Sequence, residues 1–181
     1  MDMRSVTRTF GAALLLLLML CLAVGCSAED KPGAKAAPAT KFPAFQTVDL
    51  QGNAVSQDIF KSKKVTVINI WGTFCPPCIE EMPELGKWAK EMPENAQIIG
   101  IVCDAENEKD EKIAADAVKI LTKADASFLN LMPSKEIFGY LEEVTAVPTT
   151  IFVDAEGNIL GSPVVGANVP AYKKRLEEYL K

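Results

Sequence analysis

Apolar positions fall into three kinds of run along this chain: one unbroken stretch near the N-terminus, short β-branched stretches, and stripes at helical spacing. Lys64-Val65-Thr66-Val67-Ile68-Asn69-Ile70-Trp71 is β-branched and largely apolar, the pattern of a central strand buried on both faces. Gln97 to Cys103 predicts a second such strand. Between them, Pro77 to about Met92 reads as a helix on which Leu85, Trp88 and Ala89 share one face. Pro83 lies inside it, lacks the N–H that would bond the Ile79 carbonyl, and predicts a bend. Glu108 to Lys123 predicts another helix, whose stripe of Ile113, Ala117, Ile120 and Leu121 reads as core and not as a cofactor site.

Further on, Phe128 to Leu131 and Ser134 to Leu141 predict a short strand and a helix. Thr149 to Val153 and Asn158 to Leu160, joined by Asp154-Ala155-Glu156-Gly157, predict a hairpin. The last helix opens at Asn168, an N-cap residue type, and buries Tyr172, Leu176 and Leu180. Ahead of the central strand, Gln46 to Leu50, the turn Gly52-Asn53 and Val55 read as a strand and turn, followed by a helical turn over Ser56 to Phe60. Strands alternating with helices before a terminal hairpin imply an α/β domain: a mixed central sheet flanked by helices.

The unbroken apolar run, Phe10 to Val24, follows Arg4 and Arg8 and ends at Gly25-Cys26. At about 15 residues it is short of the roughly 20 that span a bilayer, so it reads as a secretory signal peptide and not as an uncleaved anchor. Ala23-Val24-Gly25-Cys26 resembles a bacterial lipobox, with alanine where leucine is commoner, which makes Cys26 the lipidated first residue of the mature chain. Cys21 leaves with the signal. Ser27 to Pro43 is small, polar and proline-containing, a tether whose fully extended reach is roughly 60 Å. The expected organisation is therefore a signal peptide over 1–25, a lipidated N-terminus and flexible tether over 26–43, and one domain over 44–181. The expected location is extracytoplasmic, on the outer face of a single-membrane cell or on the periplasmic side.

A formal charge of −5, slightly more negative once residues 1–25 are removed, makes the chain a poor nucleic-acid binder. The chemistry lies instead in Trp71 to Pro83, WGTFCPPCIEEMP, where the central strand gives way to a helix. Pro76 suits a first helical turn, so Cys75 falls at a helix N-terminus, where free N–H groups and the helix dipole favour thiolate. Cys75 is the expected attacking sulfur. Cys78, one turn inward, is the expected resolving sulfur. A structural zinc site fails on ligand number: the chain has no histidine, and Cys103 is the only other cysteine in the domain. Cys103 ends the strand beside the central one, which leaves an approach to the redox pair open, but a cysteine so placed reads first as a small buried hydrophobe.

WGTFCPPCIEEMP, followed by Val147-Pro148-Thr149-Thr150-Ile151-Phe152-Val153-Asp154 and Glu156-Gly157, resembles the TlpA/ResA-like branch of the thioredoxin superfamily from about Phe42 to the C-terminus. The resemblance implies a thioredoxin-like fold with an N-terminal strand extension and a central insertion between Asp104 and Ala146. It implies that Pro148 is a cis-proline facing the disulfide, leaving the Val147 backbone to pair with an extended substrate. Glu81 matches an acidic residue that shuttles protons for the cysteines, a reading favoured over that of a solvated carboxylate on a first helical turn, which suits Glu80 better. Trp71 matches an aromatic beside the active loop. Pro76 and Pro77, between the cysteines, tune the balance of dithiol and disulfide.

These readings lead to a membrane-anchored reductase of exported disulfides that needs no cofactor beyond its own Cys75–Cys78 pair and no metal. Its expected partners are apocytochrome c, other exported proteins or an oxidised repair enzyme such as a methionine sulfoxide reductase. A membrane thiol-transfer protein recharges it, and it works as a monomer. Two rivals differ in chemistry. A thiol peroxidase places its nucleophile behind a Pro-x-x-x-Thr/Ser-x-x-Cys pattern, which Cys75 lacks, and a copper chaperone lacks its histidines here.

Overall fold

A computed structural model describes residues 40–181. The signal peptide, Cys26 and most of the tether lie outside the described residues. Strands β1 (Gln46–Val48) and β2 (Ala54–Ser56) form a small antiparallel hairpin, followed by a 3₁₀ helix over Gln57–Ser62. The main sheet is built from β3 (Val65–Trp71), β4 (Ala96–Val102), β5 (Leu129–Leu131), β6 (Thr149–Asp154) and β7 (Val164–Val165), in the order β5-β4-β3-β6-β7. Around it lie α1 (Pro76–Glu91), α2 (Glu111–Lys123), α3 (Lys135–Leu141) and α4 (Val169–Leu180). β3, β4 and β5 run parallel, while β6 and β7 are antiparallel to their neighbours, giving a mixed sheet in a thioredoxin-like arrangement.

All seven residues of β3 are buried, because helices cover both faces of the sheet. Alternation along the strand splits the core in two. Val65, Val67 and Trp71 point to α1, α2 and α4, where they meet Met82, Leu85, Leu121 and Leu176. Ile68 and Ile70 point the other way, to Phe42, Phe45, Phe60 and Ile137. Asn69 shares the first face, and its register partner on β6 is Thr150. The central insertion supplies α2, β5 and α3.

Three expectations are adjusted. The folded unit begins before residue 44, because Lys41 bridges Asn158 and Phe42, only 3% exposed, packs edge-on against Phe45 and Phe60. An aromatic ring gains more from that core than from a tether in water. Asn158–Leu160 does turn back along β6, with Leu160 N–H bonded to the Phe152 carbonyl, but it makes only isolated bridges there. The ladder partner of β6 is the later Val164–Val165. Finally, Pro83 does not interrupt α1, which continues across it with Pro83 exposed on its flank.

Candidate active site

The last turn of β3 hands the chain to Gly72-Thr73-Phe74, a loop held from both sides. Cys103 N–H bonds the Trp71 carbonyl at 2.8 Å, and Cys75 N–H bonds the Gly72 carbonyl at 3.1 Å. Thr73 gives both its N–H and its hydroxyl to the Asp104 carboxylate, at 3.0 and 2.5 Å. Cys75 is thereby fixed as the N-cap of α1, with Pro76 and Pro77 exposed in the first helical turn. Its Sγ accepts the Cys78 N–H at 3.3 Å, a donor that also steadies a thiolate.

Cys75 and Cys78 form a disulfide, with Cα atoms 5.3 Å apart. Cys75 is 4% exposed and Cys78 fully buried. Opposite them, the Val147–Pro148 peptide bond is cis, and the Val147 carbonyl oxygen lies 3.6 Å from Cys75 Sγ. Thr149 hydroxyl donates to the Ala146 carbonyl at 2.7 Å and closes the turn before Pro148. Beside this pair a cleft of about 490 Å³ is lined by Phe74, Cys103, Leu141, Val144, Ala146 and Val147. Phe74 is 67% exposed at its rim. A larger cleft of about 640 Å³, between α2 and β5, contains no cysteine and lies apart from this chemistry.

Glu81 is not a solvated carboxylate. It is 6% exposed, whereas Glu80 faces solvent. Asn69 Nδ2 donates to its Oε1 at 2.9 Å and Tyr172 Oη meets its Oε2 at 3.1 Å. Burial pushes the carboxyl above its ordinary range, and the bonds from Asn69 and Tyr172 oppose that push. Asn69 Nδ2 also reaches Thr150 Oγ1 at 3.1 Å, while Asn69 Oδ1 is buried with no donor. Glu81 lies one turn beyond Cys78, which puts a protonatable group on the same face of α1 as the resolving cysteine.

Trp71 is fully buried, in one cluster with both cysteines, and its Nε1 donates to Asn130 Oδ1 at 2.8 Å. Gly100 makes this possible: a side chain there would occupy the space of the Asn130 amide. Cys103 is half-buried and not the fully enclosed hydrophobe expected from sequence. Burial, aided by the Asp104 charge, pushes its thiol up to about 11, which favours the protonated form. The residues that sequence reasoning passed over are Asn69, Tyr172, Asn130 and the Thr73–Asp104 pair. Only the polar Asn69 inside an apolar strand carried a signal.

With this geometry in hand, comparison with known proteins is decisive. The Redoxin family model matches residues 35–180. The chain belongs to the Redoxin family. This redoxin is 30% identical over 172 residues to the thiol-disulfide oxidoreductase ResA of Bacillus thuringiensis subsp. konkukian, covering 92% of each chain. It is 29% identical over 149 residues to the thiol:disulfide interchange protein DsbE of Pseudomonas aeruginosa, covering 76% of each. Its fold matches a thioredoxin-family thiol:disulfide interchange protein of Chlorobium tepidum with a TM-score of 0.64 at 22% identity, over 82% of this chain and 100% of that one. A redoxin with a closed Cys75–Cys78 disulfide where a buried strand meets a helix is a thiol–disulfide oxidoreductase of this type.

Proposed function

We propose that this redoxin reduces disulfides in exported proteins, anchored to the outer side of a membrane through lipidated Cys26. The observation that carries the redox reading is the closed Cys75–Cys78 pair, with Cys75 capping α1 and facing the Val147 carbonyl beside cis Pro148. In the reduced enzyme, Cys75 thiolate attacks one sulfur of a substrate disulfide, forms a mixed disulfide and releases the other substrate sulfur as thiolate. An extended substrate segment pairs with the backbone at Val147, and Phe74 and the apolar cleft beside it take a flanking side chain. Cys78 then passes its proton to Glu81 and attacks Cys75 Sγ. The products are the disulfide observed here and a reduced substrate, two electrons having moved. Trp71 holds the loop from beneath, and Pro76 and Pro77 set the dithiol–disulfide balance.

The two sulfurs carry the electrons, and this reading calls on no further group. Recharging falls to a membrane thiol-transfer protein within reach of the tether over 26–43. Apocytochrome c, another exported protein or an oxidised repair enzyme supplies the target disulfide. The support for an extracytoplasmic site is the apolar run before Cys26; among the described residues no helix is long and apolar enough to cross a membrane. A Cys78→Ser variant tests the reading, because it leaves substrate trapped on Cys75. Exported partners released from it by dithiothreitol are the expected result. A Cys78→Ser protein that forms no adduct beyond those of the Cys75→Ser, Cys78→Ser double variant would overturn it.

A further inference from the structure

Tyr172 has no exposed surface, and its hydroxyl meets Asn168, Gly166 and Glu81, with the Thr150 hydroxyl also beside it. Asn168 N–H donates to it at 3.1 Å, the Gly166 carbonyl oxygen lies 2.7 Å away, and Glu81 Oε2 lies 3.1 Å away. A phenol carries one hydrogen and a carbonyl carries none. The contacts to Gly166 and Glu81 are therefore both hydrogen bonds only when Glu81 is protonated and donates to Tyr172, which donates in turn to Gly166. Once Glu81 is ionised, the single hydroxyl hydrogen serves either the carboxylate or the carbonyl. A charged acceptor is the stronger partner, so the hydrogen turns to Glu81 and the Gly166 carbonyl loses it.

Gly166 is not an incidental partner. Its N–H donates to the Pro148 carbonyl at 2.8 Å, next to the Val147 carbonyl that faces Cys75. We infer that Tyr172 is a positioning residue that ties the proton on Glu81 to the Gly166–Pro148 contact behind the substrate-facing segment, by moving one hydroxyl hydrogen between two acceptors. Its use in catalysis rests on the reading of Glu81 as the proton acceptor for Cys78. When the Cys78 thiol becomes thiolate and the Glu81 carboxylate becomes a carboxylic acid, the hydroxyl is freed for Gly166. The segment beside the mixed disulfide is then held more firmly as that disulfide is resolved.

The groups that face Glu81 leave room for such a switch. β3 contributes Asn69 and no charged side chain, and the one charge on β6, Asp154, stands at the far end opposite Val65. On α1, Glu84 disfavours the ionised form, but Lys173 of α4 pairs with it at 3.0 Å. On α4, Tyr172 itself is held protonated, because burial raises its own ionisation range.

The test follows the Glu81 carboxyl carbon and the Ala167 amide nitrogen by NMR across pH, in the full oxidised chain. Ala167 N–H shares its peptide unit with the Gly166 carbonyl. In the wild type the Ala167 signal should move with the same midpoint as Glu81, and in Glu81→Gln that movement should vanish. Tyr172→Phe should raise the Glu81 midpoint further, since a donor to the carboxylate is gone, and should uncouple Ala167. A wild-type Ala167 signal that stays flat through the Glu81 titration overturns the inference, and so does an unchanged Glu81 midpoint in Tyr172→Phe. If Tyr172→Phe does not fold, the wild type against Glu81→Gln decides alone. An unchanged Cys78 exchange rate in Glu81→Gln, with Ala167 still following Glu81 in the wild type, would instead remove Glu81 from the reaction and leave the linkage standing.

Discussion

On one side of the sheet, Ile68, Ile70, Ile99 and Ile151 close against Phe42, Phe45 and Phe60. Thr66, Gln97 and Thr149 there are neutral and have partners: Thr66 accepts from Gln97 at 2.9 Å, and Thr149 donates to Ala146. On the other side, Val67, Trp71 and Met82 enclose the disulfide, but Asn69 and Glu81 are buried among them, one with an oxygen that finds no donor. A buried carboxyl costs stability unless it is neutral or well bonded. The two faces differ in what they bury: one closes with apolar packing and paired neutral groups, the other encloses the disulfide together with a carboxyl and an amide oxygen that has no donor.

Phe45→Ala should break the comparison most visibly. It removes edge-on contacts to Phe42 and Phe60, with centroids 5.9 and 5.8 Å apart, and should cost about 3–5 kcal/mol in urea unfolding. The dithiol exchange rate of the molecules that remain folded should not change; if it does, the two faces are not separable. Gly100→Ala acts on the redox face and should cost about 1–3 kcal/mol, because the added methyl displaces the Asn130 amide. Here exchange should slow as well, and the near-UV circular dichroism of Trp71 should change once its Nε1 partner moves. An unaltered Trp71 band would detach Asn130 from the site.

Glu81→Gln should give the smallest effect, and one with a sign. The folded state raises the Glu81 carboxyl above its ordinary 4.5, so it binds that proton more tightly than the unfolded chain does. Stability from the neutral form is complete below about pH 4.5 and is lost as pH rises through the folded value. The wild type should therefore lose stability relative to Glu81→Gln between acidic and mildly alkaline pH, as read from urea midpoints. A constant difference across that range would mean that burial does not govern this carboxyl.

What was legible in the sequence was local or periodic. β3 shows as a run of β-branched residues, and the Cys75–Cys78 pair shows because strand, proline and spacing sit within one short segment. The polar network did not show, since Asn69 lies 12 residues from Glu81 and Tyr172 lies 91 away, and no period links them. Tyr172 is readable as a core position of α4 but not as a hydroxyl that meets Asn168, Gly166, Glu81 and Thr150. Trp71 and Asn130 are likewise 59 residues apart, and the glycine that lets them meet looks like any other in a strand. The second strand of the final hairpin was misplaced because Asn158–Leu160 has the right composition, while the short valine pair that follows Pro163 is nearly silent in pattern.

The five-stranded sheet is open, yet its two borders are poor templates for a stray chain. Along β5, the backbone of Val48 and Leu50 bonds Met132 and Asn130, so the hairpin fences that margin. Along β7, only two residues are on offer, and Pro163 just before them has no N–H to give. Copies crowded together at high local concentration would find little unclaimed backbone along these two margins to stitch into a fibril.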